Sequence, residues 1–351
     1  MWNRLNLSTN AHCRTFRKLI LLIGALFAAI QAAAQSTPLI SGGAGLLTNT
    51  NGGSTSYLTT VMPLLAAPLG SHVLVEGRAT LLEDFFPKGG GESGYAHIHY
   101  VALTYMQLNY LASSHTTIVA GEYLTPFGSY NERLTPIWIG NFQDPPLSYG
   151  LGVGTGSSVG GMLRGSAVST PDYSVDYAAY YSAASSNQNF SSQNSWGGRS
   201  SIYMPQKRLE LGASFARVTS GEKANNVGVH AWWEPANSSF KLRSEFDHGT
   251  HSQGYWMEAD YRLSRFGGPD TAIGRLEPVF RWQQIFRNSP DPSDGLPSAG
   301  MREVDAGLDY HLPHEVRINT SYSRQLSSTV NRNVWQTGIV YRFLFPAWRS
   351  K

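Results

Sequence analysis

The sequence predicts an all-β protein, an up-and-down antiparallel barrel of about sixteen strands that crosses a membrane, with its long third outer loop folded into the lumen. Three observations predict it. Apolar and polar residues alternate at period two from residue 35 onward, and helical periodicity is nearly absent. The connections sort into two classes, mostly longer and polar after odd strands, mostly short and turn-like after even ones. The only cysteine, Cys13, lies in a removable leader, so an exported chain of this size needs rigidity from something other than a disulfide.

The leader comes first. Arg4, Arg14, Arg17 and Lys18 precede an apolar run, Leu19 to Ala34, that ends in Ala32-Ala33-Ala34. A basic stretch, a short apolar core and a small-residue end predict a signal peptide over 1–34, cut before Gln35, with one barrel domain over 35–351. The run is too short for the roughly 20 residues of a spanning helix. Cleavage removes four of the 27 Lys+Arg and leaves 23 bases against 24 acids. The basic isoelectric point therefore belongs mostly to the leader and gives no footing for a nucleic-acid partner.

The strands follow in order. Candidate strands begin near residues 41, 54, 72, 96, 115, 157, 172, 195, 208, 225, 238, 254, 274, 302, 314 and 334. The first and eighth carry the weakest alternation, which leaves fourteen as the alternative count; bacterial single-chain barrels use even numbers. In SFKLRSEFDH, Phe240, Leu242 and Phe246 share one face, with Lys241, Arg243, Glu245 and Asp247 on the other. An Arg or Lys facing lipid near the midplane costs roughly 2–4 kcal/mol, so the charged face points to the lumen. The same split recurs in Leu209–Val218, Tyr255–Leu263, Val304–Tyr310, Val316–Ser323 and Trp335–Phe343. The long connections are 84–94, 124–156, 185–194 and 287–300; the short ones include 112–115, 169–172, 235–238 and 312–314. Turns at 63–71 and 265–273 are longer than the rule prefers.

The long connection opens GEYLTPFGSYNERLTPIWIGNFQDPPL, with Gly121, Pro126-Phe127-Gly128, Glu132 and Pro145-Pro146. This pattern resembles the phosphate-selective porin O and P family. The resemblance implies a trimeric sixteen-stranded porin whose third outer loop folds inward to narrow the pore. By strand count alone 124–156 is that third outer loop, and its Trp, Tyr, Phe, Ile and Pro content disfavours disorder. Tyr123, Phe127, Tyr130, Glu132, Arg133, Trp138 and Phe142 are the candidate constriction residues. Packing of the aromatics against the barrel wall is the competing reading.

The predicted lumen carries Arg78, Arg164, Lys241, Arg243, Arg262, Arg281, Arg317 and Arg342. It also carries Glu76, Glu210, Glu245, Asp247, Glu258, Asp260, Glu303, Asp305 and Asp309, so the signs balance. Ion selectivity needs fixed charge of one sign, so a weakly selective pore is expected and phosphate specificity is not. Cross-strand ion pairs supporting the wall account for most of these charges.

Other constellations are weak. His97 and His99 share an outward strand face, but the sequence shows no carboxylate or cysteine to complete a metal site. GLGVGTG at 150–156 matches no phosphate-binding pattern, and no nucleophile motif is present. The expectation is a non-enzymatic outer-membrane pore without cofactor or metal, in contact with lipid and passing small hydrophilic solutes or ions. A barrel plugged by 124–156 is the runner-up and a barrel lipid hydrolase the third reading.

Overall fold

The computed structural model describes residues 37–89, 93–150, 156–186, 192–221, 223–288, 296–329 and 331–347. The leader, residues 151–155 of the glycine-rich run and the tail from Trp348 lie outside the described residues.

Sixteen strands hold most of the described residues. They are β1 (Leu39–Asn51), β2 (Ser54–Leu69), β3 (Val73–Pro87), β4 (Tyr95–Ser113), β5 (Thr116–Leu124) and β6 (Ser157–Ser169). Next come β7 (Ser174–Ser182), β8 (Ser195–Met204), β9 (Leu209–Val218), β10 (Asn225–Trp233) and β11 (Phe240–His248). The last are β12 (Ser252–Tyr261), β13 (Leu276–Arg287), β14 (Met301–Leu312), β15 (Val316–Ser327) and β16 (Asn331–Pro346). Each strand pairs with its sequence neighbours, and β16 closes on β1 from Leu39 opposite Pro346 to Asn51 opposite Val334. Closure pairs every strand on both sides except along the upper part of β4, so the backbone is satisfied around the barrel.

The observed starts agree with the predicted ones to within three residues, the first and eighth strands included. One expectation is corrected. The predicted turn at 63–71 is strand: β2 continues to Leu69, and the turn shrinks to Gly70–His72. β2 hides itself because it is apolar on both faces. Tyr57, Val61 and Leu65 point out while Leu58, Met62 and Leu64 point in, so the period-two signal vanishes. The long turn after β12 is real and holds a 3₁₀ turn, Leu263–Arg265.

The two faces differ as the alternation requires. Outward side chains such as Leu46, Leu108, Ile118, Leu211, Val229, Met257, Phe280 and Ile339 are exposed around the whole circumference. An apolar belt of this extent belongs against lipid. Aromatics rim it at both ends: Tyr57, Tyr95, Trp196 and Trp335 towards the long loops, Tyr110, Tyr173, Trp233 and Tyr341 towards the turns. The buried positions are mostly polar and lie inside, where the inward loop meets the wall.

Wall height varies. β4 spans 19 residues, but β5 pairs only with its lower part, from Met106 to Ser113. Above that level the chain leaves the wall at Leu124 for the interior, so the upper β3–β4 hairpin stands with β2 on one side and no strand on the other.

Candidate functional site

The inward loop runs from Thr125 to Gly156 and returns to the wall at β6. It begins with the Pro-Phe-Gly turn. Gly128 has φ 62°, and a Cβ there would lie 2.0 Å from Glu245 Oε1, so the position needs glycine for both conformation and space. The next residue shows why Glu245 sits so close. Ser129 donates its backbone N–H and its hydroxyl to Glu245 Oε2, at 2.7 and 2.8 Å. Gly128 donates to Ser214 Oγ and accepts from Arg199 Nη1. The short helix α1 (Tyr130–Arg133) follows. Its two charges go to the wall: Glu132 pairs with Arg199 at 2.6 Å and Arg133 with Glu210 at 2.8 Å.

The loop then crosses the lumen. Trp138 lies over Gly43 of β1, where a Cβ would come within 2.4 Å of its ring, and Ile137 packs against Gly45. Arg317 of β15 donates to the carbonyls of Ile137 and Gly140 at 3.0 and 2.5 Å. Asn141 donates to Glu258 and Asp260 of β12. Both terminal nitrogens of Arg281 donate to the Asp144 carbonyl at 3.1 Å, and its guanidinium stacks on Phe142. Gln336 of β16 donates to Asp144 Oδ2 at 2.6 Å. Burial holds the Asp144 carboxyl above the usual carboxylate range; nearby Asp305 adds to this, while Gln336 and Arg281 oppose it. Leu147 opens a second 3₁₀ turn, Leu147–Gly150, and donates to Gln283 of β13.

Beneath the loop the wall charges form a connected ladder. Arg243 pairs with Glu258 at 3.1 Å and, closer still, with Asp260. Lys241 bridges Asp260 and Glu277 at 3.1 and 3.2 Å, and His311 bonds Glu277. Arg281 pairs with Asp305 at 2.8 Å and Arg317 with Asp309 at 3.3 Å. Arg133 and Arg243 both lie over the Trp232 ring, at 5.5 and 5.3 Å.

The sequence-predicted residues divide accordingly. Tyr123 belongs to β5; with Phe127 it is buried in an apolar cluster of Val119, Met162, Ala178, Tyr180 and Ala216. Tyr130 is buried edge-on to Trp256, and Phe142 is buried under Arg281. These four hold the loop to the wall. Trp138 is partly open, and Ile139, which the sequence reading passed over, is the loop's most open large apolar side chain at 41%.

Of the basic residues expected on the lumen wall, Arg243 and Arg281 are sealed at 4% and 1% exposure. Arg262 lies beyond β12 and donates to the Gly274 carbonyl in the turn, and Arg342 is exposed at the turn end beside Glu315. Arg262, past the end of β12, is a correction to the expected lining; Arg342, also on the inward parity, pairs with Gly43 at the level of Trp138. Lys241 and Arg317 remain partly open, and Arg78 and Arg164 face inward on β3 and β6.

The histidine pair is also corrected. A carboxylate does reach it, as a hydrogen-bond partner: Glu83 of β3 bonds both His97 and His99, and His97 stacks on Phe85 at 4.9 Å. The pairing is cross-strand, so its spacing in the chain, 14 and 16 residues, carried no signal. Among the described residues no such group is arranged to hold a metal ion.

No family model matches the chain, and no curated protein does. Solved structures do. OprB from Pseudomonas putida, in its high-pH structure, is 12% identical with a TM-score of 0.60, covering 88% of this chain and 94% of that one. OmpF from Salmonella typhi is 14% identical with a TM-score of 0.59, covering 87% and 97%. The anion-selective porin from Comamonas acidovorans is 10% identical with a TM-score of 0.55, covering 88% and 99%. At these identities the likeness is one of fold: a closed sixteen-strand barrel of the porin kind, spanning nearly the whole of each relative.

Proposed function

We propose that this chain is an outer-membrane porin, passing small hydrophilic solutes or ions by passive diffusion. The observation that carries the reading is the inward loop: it is tied to β8–β16 and β1, while on the upper inner wall of β2–β4 Met62, Leu64 and Leu82 stay only half-buried and Ile98 and Tyr100 are exposed. The opening then lies between that wall and the loop edge at Trp138 and Ile139. The charges of the sealed wall and of the loop are spent on one another, so they present little net field to a passing ion, and weak selectivity is expected. No covalent chemistry is needed.

Export by cleavage after Ala34 and residence in the outer membrane of a Gram-negative-type bacterium complete the proposal. So does assembly as a homotrimer. Support for the trimer comes from the outer surface: a concavity over β15, β16 and β1–β4 is lined by Ala44, Gly45, Leu46, Ile339 and Tyr341, with Glu83 and His99 among its lining residues. Polar groups of that kind suit a protein neighbour better than lipid.

Planar-bilayer recording of the refolded mature chain tests the reading. Stable steps with a reversal potential near zero in a salt gradient are expected. The burial of Arg243, Arg281 and most of the loop favours one other reading, a barrel plugged by the loop. Absence of steps from a folded barrel would establish that one instead.

A further inference from the structure

Two arginines on the inner wall differ from the rest. Lys241, Arg243, Arg281, Arg317, Arg199 and Arg133 all pair with carboxylates. Among the described residues Arg78 and Arg164 pair with none. Arg78 is 4% exposed, lies over the Tyr105 ring at 5.2 Å, and its Nε has no hydrogen-bond partner. Arg164 donates only to Asn109 Oδ1, at 3.0 Å. Glu76, on the same face of β3 as Arg78, is taken up by the amides of Gln107 and Asn109, at 3.0 and 2.7 Å. An arginine enclosed without a counter-charge is costly, and such positions cluster where a ligand supplies the missing charge.

Above them the inner wall carries a strip of apolar side chains that is only partly buried. Leu64 is the direct cross-strand partner of Arg78, and above it Met62 and Leu58 continue the inward face of β2. Leu82 of β3 joins them, and on β4 Ile98 and Tyr100 are 51% exposed. Facing them across Gly43, which pairs with Met62, stands Trp138. On the opposite wall the inward apolar side chains Val279 and Ile285 are sealed, so the wet apolar strip is confined to the β2–β4 side. Apolar lining with a few fixed charges at one end is the general form of a small-molecule site.

We propose that the lumen carries a binding subsite for small organic monoanions with an apolar body, the carboxylate meeting Arg78 and Arg164 and the body lying along Leu64, Met62 and Leu82. The inference rests on the channel reading and deepens it. Overall ion selectivity stays weak, because most of the basic residues on the described lumen wall pair with carboxylates.

The test uses the refolded mature chain in a planar bilayer carrying potassium chloride, with benzoate and inorganic phosphate as probes. Benzoate is expected to block the current at concentrations where phosphate does not. Arg78→Gln with Arg164→Gln should raise the half-blocking benzoate concentration about tenfold or more, the loss expected for charge-assisted hydrogen bonds. Met62→Ser with Leu64→Ser should raise it for benzoate alone. Equal block by phosphate, or no benzoate block of a conducting channel, would overturn the inference while leaving the channel reading intact. If the chain conducts nothing, the channel reading fails separately, and saturation-transfer NMR of benzoate on the detergent-folded barrel decides this one: no transfer overturns it. Where the arginine double variant does not show the heat-modifiable migration of a folded barrel, the serine variant carries the test.

Discussion

At Gly128 the backbone turns with positive φ and brings the Ser129 amide onto Glu245. A side chain there meets a double penalty, roughly 1–2 kcal/mol for the left-handed conformation and a collision with a buried carboxylate. Gly128→Ala is expected to unseat the start of the loop, which limited proteolysis of the folded barrel would show as new cleavage between 125 and 149. Arg281 is the second such residue. It satisfies Asp305, the Asp144 carbonyl and the Phe142 face at once. Arg281→Met strands a buried acid, and the cost expected for breaking such a pair is about 3–5 kcal/mol, measurable by urea unfolding in lipid or detergent. Asp144 adds a dependence on pH. Its carboxyl is raised by burial, so the fold favours the neutral form. The associated stability is fully present below the ordinary aspartate range and is lost as pH rises through the raised value. Protease protection of the loop should therefore be strongest in acid and weaken with rising pH, and Asp144→Asn should flatten that profile.

Single elements explain what could be read from the chain and what could not. The strands from β9 to β16 keep charges on one face and apolar groups on the other, so their existence and facing are written in the order of residues. β2 is not legible in this way because neither of its faces is polar, and its inward face is the apolar strip beside the opening. The loop is half legible. Its length, place in the strand count and aromatic content mark it, and the Pro-Phe-Gly turn fixes its start. Its route is not legible, because Asp144 meets a side chain 192 residues away and Ser129 one 116 residues away. Pairings such as Glu83 with His97 are hidden for the same reason, since partners are set by register across a hairpin. At this scale Trp138 makes a clean test. Trp138→Ala removes the ring that covers Gly43 and should loosen the loop tip from β1; a larger or noisier single-channel conductance is expected, and an unchanged trace would place the narrow part elsewhere.

Taken whole, the molecule is a cylinder with an apolar outer belt and a divided interior. One side, from β8 round to β16 and β1, is tied to the loop and mostly dry; on the other, β2 to β4, the upper apolar strip is partly open. The ties that make this division come from both ends of the chain. Gly43 and Gly45 on the first strand and Gln336 on the last all hold the segment 137–144. That segment cannot settle until the first and last strands have met, because half of its resting place does not exist before then. The lumen of an unfinished barrel is thus unobstructed, and narrowing arrives as the final step of assembly. Time-resolved refolding should show the strand signal rising first and protection of 134–146 from protease appearing only with closure. A barrel left open along its seam would lack the β1 contacts of Ile137 and Trp138 and keep that part of the loop open to protease.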